Sequence, residues 1–570
     1  MSSAGSQREQ AAPIVEVQGL SIGFAGANGG KPIVADFDLT IRPGECVALV
    51  GESGSGKSVT ARSLLNLAGE GARTVAHRFE IKGRDARSFT EADWRGLRGT
   101  VTGLVMQDAL VSLDPLRTIG QEVAEVISSH RILTDAGAIR DRTLQTLAKV
   151  GIPNPADRAL QYAHQLSGGL RQRALIASAI AAGPDLIIAD EPTTSLDVTV
   201  QAQVLRVLAE RIREGAGLLL ISHDLAVVAG IAARVIVMRD GRVVDSGPTR
   251  DVLTHPRHPY TRQLIAAVPS GQSRGSKLAS ASFEPGAQAI AIVREPLPQR
   301  QAAGEVVLEV KDISKSFISP KAAGRAKSVV LQDISFDVRA GEVVGIVGES
   351  GSGKSTCAKI VLGLLPPDEG EVKLLGAPWS SVSEAERRRL RRKLQYIPQD
   401  ALSSFDPRYR VKDIIAENLT GSESRIARLD RIVSLLELVG LNADNLGRRP
   451  RSLSGGQRQR VSIARALAAE PAIIVCDEPV SALDICIQAQ VLDLLAELQS
   501  RLGTALLFIS HDLGVIEHLC DRVLVFQNGQ IVERGDAEAV LRHPQHAYTQ
   551  SLLASVPDIQ NGLRAGSAAA

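Results

Sequence analysis

Gly51-Glu52-Ser53-Gly54-Ser55-Gly56-Lys57-Ser58 decides the reading of this chain, because the same octet returns unchanged from Gly348 to Ser355. An apolar run precedes each copy: Cys46-Val47-Ala48-Leu49-Val50 and Val343-Val344-Gly345-Ile346-Val347. A helix-forming stretch follows each. Strand, glycine-rich loop and helix in that order make a phosphate-binding P-loop. The glycines let backbone N–H groups converge on phosphate oxygens, and the helix N-terminus adds positive potential. Lys57 and Lys354 are placed to reach the β- and γ-phosphates, and Ser58 and Ser355 to hold Mg²⁺. The expected nucleotide contacts are Gly51, Ser53, Gly54, Gly56, Lys57, Ser58 and Val59, and Gly348, Ser350, Gly351, Gly353, Lys354, Ser355 and Thr356. A pair of ordinary Gly/Ser turns would not repeat an octet in this context.

A chain of 570 residues is too long for one core and predicts several domains. Its 65 basic and 63 acidic residues nearly cancel, which argues against a nucleic-acid binder. The five cysteines, Cys46, Cys357, Cys476, Cys486 and Cys520, have no CxxC spacing and read as reduced, mostly buried thiols of a cytosolic protein. Residues 1–13 are polar, lack an apolar signal core and are expected to be disordered. No apolar run is long enough to span a bilayer. The longest, Leu218–Val228, is broken by His223 and Asp224. Any membrane role is therefore expected to come through partners.

The landmarks after each P-loop recur in one order. Val101–Gln107 and Leu394–Gln399 are strands that end in Gln107 and Gln399, side chains suited to ligate Mg²⁺ and position water. Residues 118–165 and 411–450 read as amphipathic helices. Leu166-Ser167-Gly168-Gly169-Leu170 and Leu453-Ser454-Gly455-Gly456-Gln457 then open further helices, each a second anion-binding helix N-terminus. The apolar strands Leu186–Ala189 and Ile473–Cys476 end in Asp190-Glu191 and Asp477-Glu478. Continuous apolar strands belong to buried parallel sheets, and the carboxyl ends of such strands are where ligands bind. Asp190 and Asp477 are placed to organise Mg²⁺. Glu191 and Glu478 are placed to orient or deprotonate water. The plainer alternative makes these acids helix N-caps. Ser195-Leu196-Asp197 and Ala482-Leu483-Asp484 follow. His223 and His511, just past another apolar strand, are placed to contact the γ-phosphate. Phe24 and Phe317, ahead of the P-loops, suit either adenine stacking or core packing.

The whole second half repeats the first. Leu166 to Leu453 is a shift of 287, as is Asp190 to Asp477, whereas Gly51 to Gly348 is 297. The second unit is thus ten residues shorter between its P-loop and its Ser-Gly-Gly. This is a duplicated large domain, not a short-period solenoid. Residues 270–304, rich in Ser, Ala, Pro, Gly and Gln, read as a linker. If flexible it would span about 30 Å r.m.s..

Together these residues resemble ATP-binding cassettes over 14–269 and 305–557. The resemblance implies an α/β fold: two tandem nucleotide-binding domains, each with a RecA-like P-loop core, an antiparallel β subdomain and an inserted helical subdomain. It also implies that the two cassettes pair within the chain. One ATP site would then join Lys57, Ser58, Gln107, Asp190, Glu191 and His223 to Ser454, Gly455, Gly456 and Gln457. The other would join Lys354, Ser355, Gln399, Asp477, Glu478 and His511 to Ser167, Gly168 and Gly169. In that picture Glu191, Glu478, His223 and His511 are catalytic. Ser58, Gln107, Asp190, Ser355, Gln399 and Asp477 hold Mg²⁺. Leu170 departs from the family's usual Gln.

Gln107–Pro115 and Gln399–Pro407 resemble the peptide/nickel importer ATPases. So do the tails His255-Pro256-Arg257-His258-Pro259-Tyr260-Thr261 to Pro269 and His543-Pro544-Gln545-His546-Ala547-Tyr548-Thr549 to Pro557. Read without the resemblance, the tail histidines are metal ligands or parts of a packed turn, and the adjacent prolines favour the turn. The fused layout implies an ATPase energising import of dipeptides, oligopeptides or peptide-like substrates. It would sit peripherally on the cytoplasmic face of the inner membrane, with two integral-membrane permease subunits and an extracytoplasmic substrate-binding protein. Relatives with a Cys-rich segment after the first tail can hold an iron–sulfur cluster. This linker has no Cys, so none is expected. The alternative is a soluble tandem cassette acting on ribosomes or nucleic acid, a class that usually has a long charged helical linker. Pro285, Pro296 and Pro298 rule out one continuous helix here. Residues 558–570 are expected to be disordered.

Overall fold

In each half, five parallel strands and one antiparallel edge strand form the core sheet. In the first half the order is Thr102–Val105, Leu186–Asp190, Gly217–Ile221, Cys46–Val50, Arg234–Arg239 and Arg242–Pro248, the last pair antiparallel. The second half repeats it with Leu394–Ile397, Ile473–Asp477, Ala505–Ile509, Val343–Gly348, Arg522–Gln527 and Gln530–Asp536. This computed structural model describes the chain except residues 1–10, 25–31, 194–195, 285–290, 299–302, 319–326, 420–423, 482, 560–561 and 564–570. It divides into two compact units, Met1–Ile265 with Pro285–Ala291 and Pro557–Ala570, and Ala266–Glu284 with Ile292–Val556.

The central strands are buried on both faces, as their unbroken apolar sequences require. The P-loop and the Asp-Glu pair therefore emerge at the same carboxyl edge of each sheet, on strands separated by one other, Gly217–Ile221 in the first unit and Ala505–Ile509 in the second. A separate antiparallel sheet, built on Val15–Phe24 and Val34–Ile41, packs on the first core. Val306–Ile318 and Lys327–Arg339 do the same in the second. Between the Gln strand and the signature helix lies a helical insertion. It comprises Ile119–Ser129 and Ala136–Lys149 in the first unit, and Val411–Ala416 and Arg425–Leu438 in the second. Thr118 begins the first of these with a capping box to Gln121. The tandem α/β architecture with antiparallel and helical subdomains is thus as the motifs implied.

The segment expected to be a linker is 270–304. Its described part packs on the second unit. Leu278 and Ala279 donate their backbone N–H groups to the two oxygens of Asp493, each at 2.8 Å. The Ser273 hydroxyl lies 2.9 Å from Nδ1 of His518, a side chain only 1% exposed. Lys277 pairs with Glu497 at 2.8 Å. These partners stand more than two hundred residues downstream, so local composition gave no sign of them. At the C-terminus, expected to be disordered from 558, the Gly562 N–H donates to the Asp558 carbonyl at 2.8 Å, and Gly562 lies against Ala229 and Gly230 of the first unit. Residues 1–10 and 564–570, and Pro285, Ser195 and Ala482, lie outside the described residues. No described helix is long and apolar enough to cross a membrane.

Candidate functional site: two nucleotide sites

The P-loops have the shape their glycines dictate. Gly51 has φ 147°, and a Cβ there would lie 2.1 Å from the Met238 carbonyl. Gly348 has φ 148° and would meet the Phe526 carbonyl at 2.2 Å. Backbone this tightly packed leaves room only for glycine. The loops run into the helices Lys57–Ser63 and Lys354–Val361. The lysines curl back onto their own loops. Lys57 Nζ donates to the Gly51 and Glu52 carbonyls at 2.8 and 2.7 Å. Lys354 Nζ donates to those of Gly348 and Glu349, both at 2.8 Å. Ser53, Gly54, Ser350 and Gly351 are exposed around the loop mouth, and Val59 and Thr356 follow the lysines in the first helical turn.

Around each loop the carboxylates, glutamine and histidine come together. The Ser58 hydroxyl donates to Asp190 Oδ1 at 3.0 Å. Asp190 is 1% exposed, and its Oδ2 is buried without a hydrogen bond among the described residues, 3.7 Å from the Arg62 guanidinium. Burial pushes the Asp190 carboxyl above its usual range despite Ser58 and Arg62. In the second unit Tyr396, which replaces Leu104, donates to Asp477 Oδ2 at 3.3 Å. Burial and the adjacent Glu478 charge raise the Asp477 carboxyl as well. A serine hydroxyl beside a buried carboxylate with an unused oxygen is a hard donor set, suited to Mg²⁺.

Gln107 Nε2 donates to Glu191 Oε2 at 2.9 Å, and Gln399 to Glu478 at 2.9 Å. His223 Nδ1 stands 3.6 Å from Glu191 Oε2, and His511 Nδ1 3.2 Å from Glu478 Oε2. Burial alone would lower both imidazoles, but the facing glutamates and Asp224 or Asp512 hold them above their ordinary value. For Glu478, burial works upward and is outweighed by His511, so its carboxyl sits below the usual range. The alternative of acidic N-caps is set aside. The helices that follow start at Val198 and Ile485 and are capped by Asp197 and Asp484. Glu191 and Glu478 instead occupy left-handed backbone, at φ 49° and 47°.

The signature residues Ser167, Gly168, Ser454 and Gly455 are exposed. Ser454 and Gln457 exchange hydrogen bonds at 3.3 and 3.1 Å, a complete capping box. Ser167 caps its helix through Leu170 N at 3.4 Å, but Leu170 has no side-chain acceptor to return the bond. The Phe24 ring edge lies over Gly69, where an added Cβ would come within 3.4 Å, a packing contact. Phe317 is 43% exposed.

Two side chains absent from the expected set touch the P-loops. The Tyr260 hydroxyl accepts the Glu52 N–H at 2.8 Å, and the Tyr548 hydroxyl accepts the Glu349 N–H at 3.1 Å. Recurrence of His-Pro-x-His-x-Tyr-Thr at one offset in both halves was the sequence signal for them. The tail histidines take the packed-turn form: Nδ1 of His258 accepts the Tyr260 N–H at 3.1 Å, and Nδ1 of His546 that of Tyr548 at 3.2 Å.

Residues 34–194 and 331–481 match the family model described as "ABC transporter". Residues 244–288 and 532–569 match "Oligopeptide/dipeptide transporter, C-terminal region". The chain is 40% identical to the peptidoglycan transport ATP-binding protein YejF of Agrobacterium fabrum, covering 96% of this chain and 97% of that one. It is 39% identical to the oligopeptide transport ATP-binding protein OppD of Mycobacterium bovis, covering 96% and 98%. The solved structure named RNase-L Inhibitor aligns over 89% of this chain and 88% of its own, with TM-score 0.57 and 20% identity, a likeness of fold alone. Two complete P-loop, signature and Asp-Glu sets, with family matches over both halves, make this chain a tandem-cassette ATPase of the ABC transporter family.

Proposed function

We propose that this chain hydrolyses ATP to energise an importer of peptides or peptide-like molecules. The observation that carries the reading is the pairing of two ABC transporter matches with two matches to the oligopeptide/dipeptide transporter C-terminal region. Near-full-length relatives named for peptidoglycan, oligopeptide and glutathione transport support the same substrate class. The two cassettes are taken as 14–269 and 305–557, joined by the segment between them.

Lys57 and Lys354 would leave the loop carbonyls to meet the β- and γ-phosphates. Phe24 and Phe317 are the candidate adenine neighbours. Ser58, Gln107 and Asp190, with Ser355, Gln399 and Asp477, would hold Mg²⁺, which supplies charge neutralisation of the phosphates. Glu191 and Glu478 would accept a proton from the attacking water, oriented by Gln107 and Gln399. His223 and His511, held by those same glutamates, would face the γ-phosphate. Ser167, Gly168 and Gly169, and Ser454, Gly455, Gly456 and Gln457, would complete the sites when the cassettes pair within the chain.

A surface for membrane subunits is suggested beside the Gln107 loop. Val111, Leu116 and Leu160 are 80%, 83% and 75% exposed. The 159–161 backbone is tied to residues 119–120 next to Leu116. Exposed apolar side chains grouped this way mark interaction sites. They fit two permease subunits at the cytoplasmic face of the membrane, with a substrate-binding protein on the far side. Mass spectrometry of what co-purifies in mild detergent is the test. Two multi-span proteins, lost from a Leu116→Arg/Leu160→Arg variant, support the reading. Ribosomal proteins or nucleic acid without membrane subunits would replace it with the soluble alternative. The described parts of 270–298 form a 3₁₀ turn and two short strands, not the long helix usual in that class.

A further inference from the structure

The peptide group joining Gly51 to Glu52 is gripped from both sides. Its carbonyl accepts the Lys57 ammonium at 2.8 Å, and its N–H donates to the Tyr260 hydroxyl at 2.8 Å. The equivalent group in the second unit joins Gly348 to Glu349. Its carbonyl accepts Lys354 at 2.8 Å, and its N–H donates to Tyr548 at 3.1 Å. Tyr260 lies 208 residues from Glu52, so the contact is made by the fold and not by local sequence.

Each tyrosine is itself held. Asp245 Oδ2 accepts the Arg257 and His258 N–H groups at 3.0 and 3.2 Å. The Glu533 carboxylate accepts those of Gln545 and His546 at 2.7 and 3.2 Å. His258 and His546 then accept the tyrosine N–H groups through Nδ1, so each ring carries its proton on Nε2 in this arrangement. Tyr260 is 1% exposed and lies under the Arg239 guanidinium, 4.9 Å from the ring centroid. An edge-strand carboxylate, a His-Pro turn and a phenol thus form one relay ending on the P-loop, built twice.

We propose that Tyr260 and Tyr548 are positioning residues of the two nucleotide sites. Each hydroxyl fixes the peptide group that carries the P-loop lysine, and so lets the C-terminal tail of each cassette set the affinity for a nucleoside triphosphate. Rotation of that peptide would cost its N–H the phenol and would swing the carbonyl away from the lysine. With the phenol in place the loop keeps one orientation, and binding does not have to select it from several. The proposal rests on reading the octets as nucleotide sites.

The test uses the full chain and its partners as purified, with Tyr260→Phe and Tyr548→Phe, singly and together, because phenylalanine removes only the hydroxyl. Loss of one hydrogen bond to the loop predicts a rise of about threefold to tenfold in KM for ATP at each altered site, with a much smaller change in kcat. The melting temperature should move little. Deuterium uptake by peptides covering Glu52 and Glu349 should speed up in the variants, and should be slow in the unaltered chain. Lys57→Ala/Lys354→Ala is the control for the underlying reading. If it loses nucleotide while the phenylalanine variants keep wild-type KM, the tyrosine proposal fails alone. If the unaltered chain binds no nucleotide, both fail. A parallel fall in kcat and melting temperature with unchanged KM would assign the phenols to folding only. If the double variant does not fold, slow exchange at Glu52 and Glu349 in the unaltered chain, and faster exchange in either single variant, still decides it.

Discussion

Gln107 Nε2 and Glu191 Oε2 stand 2.9 Å apart, and Gln399 and Glu478 repeat the pair at the same distance. The contact ties the strand that leads into the helical insertion to the carboxylate that follows Leu186–Asp190 in the first unit and Ile473–Asp477 in the second. Glu191→Gln and Glu478→Gln keep the shape and remove the proposed base. ATP binding should survive, while hydrolysis at the altered site falls about 10²- to 10⁴-fold. Single-turnover assays with each variant check this. Wild-type rates in both single variants would remove the glutamates from the reaction.

Both glutamates are held in left-handed backbone, at φ 49° and 47°. For a residue with a Cβ this costs about 1–2 kcal/mol. Glu478→Gly and Glu478→Ala lose the same carboxylate, but only glycine sheds the strain. The glycine variant should therefore be the more stable by about 1 kcal/mol, both being inactive at that site. Thermal unfolding of the two side by side measures it, and equal midpoints would show the backbone relaxes without glycine.

Asp493 fixes the joining segment with two oxygens, one for Leu278 N–H and one for Ala279 N–H. Asparagine offers one carbonyl oxygen and turns an NH₂ toward the other donor. Asp493→Asn should thus free the segment despite its matching size, and limited trypsin digestion should cut faster after Lys277 and Arg274. Unchanged cleavage would mean the Lys277–Glu497 pair and Ser273–His518 contact suffice. The first unit has Arg206 and Gly230 where the second has Asp493 and His518, so no such dock is expected there.

Four cysteines, Cys46, Cys357, Cys476 and Cys520, are buried, and Cys486 is partly exposed. Burial pushes the Cys357 thiol up to about 12, and those of Cys46 and Cys476 higher than their ordinary value. A thiol with its pKa raised this far remains protonated and unreactive as pH rises from 7 to 9. Ellman titration of the native chain should therefore count about one thiol across that range, and the denatured chain all five. Cys486→Ser should bring the native count close to zero. Rapid native labelling of several thiols would contradict this packing.

The sequence by itself determined the duplication and, through the resemblance its motifs carry, the α/β cassette fold, and it named most of the side chains that the structure brings together around each P-loop. Those features are local: an octet between strand and helix, Ser-Gly-Gly at a helix start, Asp-Glu at the end of an apolar strand. Each is written in a few adjacent residues and is repeated at matching positions. What only the tertiary structure decided is long-range. The phenols on the P-loop peptides, the carboxylate that receives the joining segment, and the left-handed turn under each glutamate all depend on partners far along the chain. Tyr260 and Glu52 are 208 residues apart, and no local propensity encodes a hydrogen bond across that distance. Packing of the tail against the core sheet brings the two together, because an N–H partly withdrawn from water needs an acceptor and the folded tail supplies one.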